Sequence, residues 1–384
     1  MMENDKIKIS IVTRKFLKYN LLWPDEKTEL NPGIKYKISI LGFFVITGLL
    51  VLSLTLHFCV TITAGHEMDA EEFAILIALY GSYYMTCAYL KNQHKVALLM
   101  RDLSVFKSFG KPPNFEKRNV QLNFLAKVLY FYTLLATIFY NGKLLINKKE
   151  CKRINKEKGL NNNYCGLLVS CWLPFEIDYF PVFQLVLIYV FLSGYMLIKL
   201  ALTISFNAFE IVCNIVLRIE HLKNMILESL NENRNDIRHI KFLRCILYHI
   251  EILNLAARLD DSFFNAMFGH LALVSGICAC LEKQIISGVN VVAGTLHFFG
   301  WILALFVACV AGQYLINASE ILPSAIWAAK WYQADLELKK NVLFMLARSQ
   351  KSLFIRAGPF GILCYPLFVT VLKTSYSILC VMTS

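Results

Sequence analysis

Charge is scarce in this chain. Only 17% of its 384 residues are Asp, Glu, Lys or Arg, against about a quarter in ordinary globular proteins. Catalytic signatures are missing too. There is no HExxH, no phosphate-binding loop and no GxSxG, so an enzymatic reading has nothing to stand on. The eight histidines are dispersed. The twelve cysteines are scattered as well. Cys59, Cys87, Cys278, Cys280, Cys309, Cys364 and Cys380 lie in apolar runs, where cysteine is a small hydrophobe. Cys278-Ala279-Cys280 is too tightly spaced for a zinc knuckle. No metal and no cofactor is therefore expected. Net charge is +12 and the pI about 9.1, but no nucleic-acid motif accompanies it, so the basic residues are assigned to loops at an anionic membrane leaflet. No cleavable signal peptide is expected, because the first apolar run begins near residue 38, behind a basic segment, and is too long for a signal core. Internal repeats and low-complexity tracts are absent.

What the chain has in abundance is apolar residues, 57% of the total, with a mean hydropathy of +0.52. Runs long enough to cross a bilayer recur. The expected fold is all-α: one polytopic membrane domain, 1–384, with seven transmembrane helices. A basic segment, 1–37, comes first. Spans follow at about 38–62, 73–92, 122–142, 180–207, 263–285 and 291–317. A last span begins near Ala357. His66 to Glu72 forms an acidic loop, and Asn161 to Asn163 sits in the loop after the third span. The fourth span continues as an amphipathic helix to about 232. A second such helix carries Ile240, Leu243, Leu247, Ile250 and Ala257, at spacings close to helical. A third covers 320–355, with Trp327, Trp331, Leu336, Leu343 and Leu346. Too polar for lipid and too apolar for water, the three extensions are expected to pack as a membrane-proximal bundle. In domain terms, 38–317 holds helices one to six, 318–355 an anchor helix and 356–384 the last span.

Lys and Arg set the orientation. Segments 1–37, 91–121, 210–262 and 317–356 hold 8, 7, 7 and 6 of them, against 7 in 142–180. This puts the N-terminus inside and the C-terminus outside, with the basic 142–180 loop as the exception. The sequon Asn317-Ala318-Ser319 would then face the cytosol and be silent. Cys151, Cys165 and Cys171 share the outer loop, so one disulfide is possible there, its pairing open.

The last stretch turns from apolar to hydroxyl-bearing at Thr370, Thr374, Ser375, Tyr376 and Ser377, and then to an apolar tip. Such a helix can line a water-filled path closed by a hydrophobic constriction. It can equally be a plain span whose hydroxyls bond back one turn. Ser375, Leu379 and Met382 or Thr383 share a face, with Leu379 as the closing ring. Lys373 lies mid-span and is expected to face protein or water, and Pro366 should kink or break the helix. His297, inside the sixth span, is either a functional group or a neutral histidine bonded to a neighbouring helix. Aromatics gather toward the outer halves of several spans: Tyr80, Tyr83 and Tyr84; Phe139 and Tyr140; Phe175, Tyr179, Phe180 and Phe183; His297, Phe298 and Phe299. They suit an apolar pocket with a few polar tips for a small volatile molecule, or else ordinary interfacial belts.

The C-terminal third resembles the insect odorant receptors. The resemblance rests on Trp331-Tyr332, Lys339-Lys340, Arg348-Ser349-Gln350, Ala357-Gly358 and Lys373-Thr374-Ser375-Tyr376-Ser377, with Cys309 and Gly312 in 305–316. Gln313 departs from the family's frequent Glu, and Pro366 stands where the family is usually polar. The Gln-Phe ending of gustatory receptors is absent, and the Lys-Thr-Ser-Tyr-Ser run points to a ligand-tuning subunit rather than to the co-receptor Orco. The resemblance implies an odorant-gated, non-selective cation channel in the dendritic plasma membrane of sensory neurons, a heterotetramer with Orco. It implies a pore lined by the last helix and an odorant held in the outer half between spans two, three, four and six. On that reading Tyr80, Tyr83, Tyr84, Thr137, Tyr140, Phe183, Leu187, His297 and Phe298 contact the ligand, while Ser375, Leu379, Met382 and Thr383 form the pore and gate. The competing reading, a seven-span receptor signalling through a G protein, needs an outside N-terminus and an Asp-Arg-Tyr at the third span, which is missing.

Overall fold

A computed structural model of the chain describes residues 6–26, 28–65, 70–157, 164–288 and 291–383. His66 to Asp69 of the acidic loop, Asn161 to Asn163, and Ser384 lie outside them. The described residues form twelve α-helices: α1 (Ile11–Tyr19), α2 (Ile34–Thr63), α3 (Ala70–Ser104), α4 (Phe115–Ile146), α5 (Lys148–Glu157), α6 (Val182–Ile198), α7 (Leu200–Leu230), α8 (Asn235–Ile286), α9 (Val291–Ser319), α10 (Ile321–Ala328), α11 (Leu336–Ser349) and α12 (Tyr365–Thr383). Seven stretches are long and apolar enough to cross a membrane, α6–α7 and α9–α10 each counting as one.

Burial follows residue type in the way lipid requires. Along α2, Ile38, Leu41, Val45, Leu49, Leu52 and Leu56 make an exposed apolar stripe, while Phe43, Thr47, Leu50, Leu54 and His57 turn inward. In water such a stripe would be a liability; in hydrocarbon it is the wetted face. Helix α7 lies at the centre, with 200–208 and 210–219 buried almost without interruption. It packs along α9, α8 and α3. The 52 residues of α8 amount to roughly 78 Å of helix, far more than the ~30 Å hydrocarbon core, so much of it stands outside the bilayer.

Four expectations change. First, 1–37 is not simply a polar lead-in: Ile7, Ile9, Leu17, Leu22 and Trp23 are buried, and Phe16 stacks on Tyr130 at 3.5 Å. Second, 320–355 is not one helix. It breaks after Ala328 into a 3₁₀ turn, Trp331–Gln333, and resumes as α11, capped by Asp335, whose carboxylate accepts the Leu338 N–H at 2.9 Å. That bond, then the His239 side chain, holds the Asp335 carboxyl below its ordinary range. Third, the stripe of Ile240, Leu243, Leu247 and Ile250 does not pack into this chain's own bundle but is exposed. The inward face of this part of α8 is Phe242, Cys245, Tyr248, Ile252 and Leu255. Fourth, Pro366 does not kink the last helix. It sits in the first turn of α12, where its missing N–H costs nothing.

Residues 351–364 form a strap that delivers the chain to α12. Asp260, only 8% exposed, accepts from Arg356 N, Nε and Nη2 at 2.7, 2.8 and 2.6 Å. Ala357 N donates to Gly361 O and Leu363 N to Ile355 O, both at 2.9 Å. Gly358 has φ +58 and packs on Phe268, which accounts for the Ala-Gly pair. Gly312 of α9 lies under the strap, where a Cβ would come within 2.1 Å of the Leu363 carbonyl oxygen. The cysteine pair is Cys151–Cys165, and Cys171 is free and buried. The sequon is used structurally: Gln313 donates to Asn317, and Ser319 donates to the Ile316 carbonyl while accepting from Leu353 N.

Because the clash at Gly312 is with backbone, Gly312→Ala should cost about 2 kcal/mol of stability. Thermal unfolding of the purified chain should show a lowered midpoint; an unchanged one would mean that the strap is loose.

Candidate functional site

A cavity of about 80 Å³ opens between α3, α4, the α6–α7 junction and α9. On a scale where one water needs 10–15 Å³, it has room for several waters or one small organic molecule. Small residues create the space: Ala78, Ala136, Ala201, Gly300 and Ala304 line it, with Ile75, Leu79, Leu202, Leu296 and Trp301 as apolar walls. Leu168 and Val169 of the 164–181 loop close one side. That loop is stitched to the bundle by Trp172 N donating to Ser53 O, Ser53 Oγ donating to Trp172 O, and Ser170 Oγ donating to Glu72. The Cys151–Cys165 disulfide ties its start to α5.

The polar groups of the lining are nearly all spoken for. Thr133 and Thr137 donate back along α4 to Tyr130 O and Thr133 O, at 2.9 and 2.8 Å. Tyr132 donates to Leu296 O at 3.1 Å, and the Tyr140 hydroxyl to Glu71. His297 bonds within its own helix, not to a neighbouring one: its Nε2 accepts Trp301 Nε1–H at 3.1 Å. An imidazole accepting at Nε2 carries its proton at Nδ1, and that donor has no partner among the described residues. The chamber thus offers a greasy wall and one free N–H, the chemistry for a small apolar molecule with one acceptor.

Three of the nine residues expected to touch ligand, Thr137, Tyr140 and His297, line this cavity. The other six do not. Helix α3 turns Ile75, Ala78 and Leu79 inward, which at 100° per residue places Tyr80 and Tyr84 on its far side. Tyr80 shares a 2.7 Å hydrogen bond with Thr55, and Tyr84 packs over Gly269 and against Phe268. Tyr83 donates to Phe44 O at 3.3 Å. Phe183 carries Lys148 Nζ 3.1 Å from its ring centre. Leu187 and Phe298 are half-buried against the main core. Sequence reasoning missed the small residues and the Leu168–Val169 closure. A buried apolar run, Leu167-Leu168-Val169, inside a loop otherwise read as hydrophilic was the available signal.

The face of α12 expected to line a pore is also turned differently. Ser375 is fully buried and donates to Glu282 at 3.0 Å. Leu379 is 6% exposed. Met382 packs on the core, its carbonyl accepting from Lys283 Nζ at 3.1 Å. Thr383 is exposed but bonds back to Leu379 O. Opposite this buried edge runs an exposed one, made of Thr370, Lys373, Thr374, Ser377 and Val381, at spacings of three and four. Val381 is 77% exposed.

Residues 70–376 match the family model described as 7tm Odorant receptor. Putative odorant receptor 92a of Drosophila melanogaster is 26% identical over 147 residues, 38% of this chain and 36% of that protein. Odorant receptor 67a of the same fly is 27% identical over 187 residues, 45% and 44% of the two chains. The fly's odorant receptor coreceptor is 30% identical over 128 residues, 32% and 26% of the two. The chain thus matches well under two thirds of the length of these curated relatives. Among solved structures, the olfactory receptor OR5 of Machilis hrabei in complex with eugenol superposes with a TM-score of 0.74 at 13% identity, over 97% of this chain and 96% of that one, which shows the same fold. With four-fifths of its length inside the family model and seven apolar spans in a matching fold, the chain belongs to the insect odorant receptor family: a multi-pass membrane protein and a receptor, not an enzyme.

Proposed function

We propose that this chain is the ligand-tuning subunit of an odorant-gated, non-selective cation channel, assembled with the co-receptor Orco in the dendritic plasma membrane. The N-terminus is inside and the C-terminus outside, so the cavity lies in the outer half of the bundle. The observation that carries the reading is the course of α9. At one end it forms a wall of the cavity with His297, Gly300, Trp301 and Ala304. Further along it meets the pore helix: Phe306 packs on Phe368 at 5.5 Å, Gly312 lies under Leu363, and Gln313 accepts from Tyr365 N at 3.3 Å. A ligand that fits the cavity better when α9 is displaced shifts the channel toward the conformation with α12 displaced too, by the difference in affinity between the two states. The exposed face of α12, with Thr370, Thr374 and Ser377 leading to Val381, is the one that would line a central conduit. Its hydroxyls suit hydrated cations, and Val381 suits an apolar constriction. Leu379 and Ser375 serve instead to hold α12 to its own subunit. The exposed stripe on α8, with Trp327, Leu336 and Leu343 likewise exposed, is apolar surface suited to the neighbouring subunits of a tetramer.

Three measurements test this on cells expressing the chain with Orco. His297→Ala should raise the half-maximal odorant concentration about tenfold, the value of one lost hydrogen bond, while currents from a direct Orco agonist persist. An unchanged odorant response would remove His297 from the binding site. In a Cys380→Ser background, cysteine at Ser377 or Val381 should become sensitive to a charged thiol reagent added outside, with current loss, whereas cysteine at Leu379 should stay silent; the opposite pattern would return the pore to the Leu379 face. An N-terminal tag should be stained only after permeabilisation, and staining of intact cells would favour the G-protein reading.

A further inference from the structure

Beyond the apolar runs, a cavity of about 430 Å³ opens between the end of α3, residues 105–110, α7 and the middle of α8. Its character is the reverse of the odorant cavity's. Arg101, Asp102, Lys107, Arg218, Glu251 and Arg258 line it, four cations against two carboxylates. The arginines are held in place. Asp102 accepts from Arg101 Nε and Nη2 at 3.0 and 2.8 Å and from Arg258 Nη1 at 2.7 Å. One carboxylate, its oxygens occupied, thus gathers two guanidinium groups, each one-third exposed. Arg218 is 3% exposed in its side chain and donates to Glu251 at 2.6 Å. It also donates to Asp102 O and Val105 O at 2.8 and 2.9 Å, which pins the 105–110 connector to α7.

Two positive charges are left over. Asp102 balances one of its two arginines, Glu251 balances Arg218, and the exposed Lys107 has no carboxylate partner among the described residues. Charges further out do not make up the difference. Asp260 and Asp261 are taken by Arg356 and Lys95, and Glu228 is offset by Arg244, both acting on His221. Arg101 Nη1, Arg258 Nε and Nη2 and the Lys107 ammonium have no acceptor among the described residues. Forked donors with two charges to spare match a phosphate monoester, which is close to a dianion at neutral pH and presents three acceptor oxygens. The volume is in the range of sites for small organic molecules, far more than a bare phosphate fills, so the alcohol part of the ester enters too. Ser108 and Asn254 at the wall offer hydrogen bonds to hydroxyl groups. Phe109, fixed by stacking on Tyr248 at 4.4 Å, closes one side. Arg258 stands five residues ahead of the fifth apolar run, about 8 Å along α8, so the cavity lies at the depth of the lipid headgroups.

We infer that this cavity binds a phosphorylated polyol, free or as the headgroup of a membrane lipid, and that the bound ester ties the end of α3 to α8 through Arg101, Lys107 and Arg258. That the cavity faces the cytosol rests on the orientation proposed above; its chemistry does not.

The test uses the full chain purified in detergent, where neither orientation nor the course of the pore affects the result. Fluorescent inositol trisphosphate should bind saturably, and the unlabelled probe at about a hundredfold its Kd should raise the unfolding midpoint by about 3 °C. Myo-inositol should do neither. Lys107→Gln, at an exposed position, should weaken binding about tenfold. So should Arg258→Lys, which keeps the charge and loses the fork. Lys149→Gln removes an exposed lysine of α5 and should change nothing. A parallel measurement places the chain in phosphatidylcholine nanodiscs with or without a few per cent of phosphatidylinositol bisphosphate. A midpoint raised by that lipid assigns the ester to the membrane; one raised by the soluble probe alone assigns it to a free ester. No saturable binding and no raised midpoint in either form would overturn the site. Binding that Lys107→Gln and Arg258→Lys leave unchanged, or that Lys149→Gln weakens as much, would overturn it too.

Discussion

A peptide group in hydrocarbon has no water to turn to, and every other feature of this molecule accommodates that fact. Seven helices satisfy their own backbones across the apolar layer. Where the chain leaves helical form to reach its last span, it does so under cover. The strap pairs Ala357 with Gly361 and Leu363 with Ile355, spends the Asp260 carboxylate on Arg356, and uses Gly312 to let a carbonyl lie against α9. The small and positive-φ residues of this region are the conditions under which non-helical backbone survives there.

The same constraint shapes the cavity. Because α4 hydroxyls bond back to their own helix, the chamber is nearly dry in character despite its threonines. Its size comes from alanines and glycine on four different helices. Helix α9 has one end in this chamber and the other against α12, so a change of fit in one place has a direct mechanical route to the other.

Much of the fold was legible in the sequence. The seven spans could be read from unbroken apolar runs, and the long extensions from periodic ones. What periodicity does not give is the direction of a helix face when both lipid and protein are apolar. The stripe Ile240, Leu243, Leu247 and Ile250 reads as a core stripe and is turned outward. Ser375 and Leu379 read as a pore face and are turned inward, because the helix has two apolar sides and only its neighbours choose between them. Tyr140 and His297 were identifiable as large polar-tipped groups near a span end. The walls around them were not, since alanine and glycine give no local signal of the space they leave. The N-terminal segment was masked by its lysines, which hide how completely Leu17, Leu22 and Trp23 are buried.

The outward stripe on α8 bears on how the chain behaves alone. Ile240, Leu243, Leu247 and Ile250 lie half or more exposed in a row on the first half of that helix, and an uncovered apolar ridge of that kind makes an isolated chain prone to aggregate. In the assembly proposed above the neighbouring subunits are the cover, so the same contact that would join subunits would also keep each of them soluble outside the hydrocarbon.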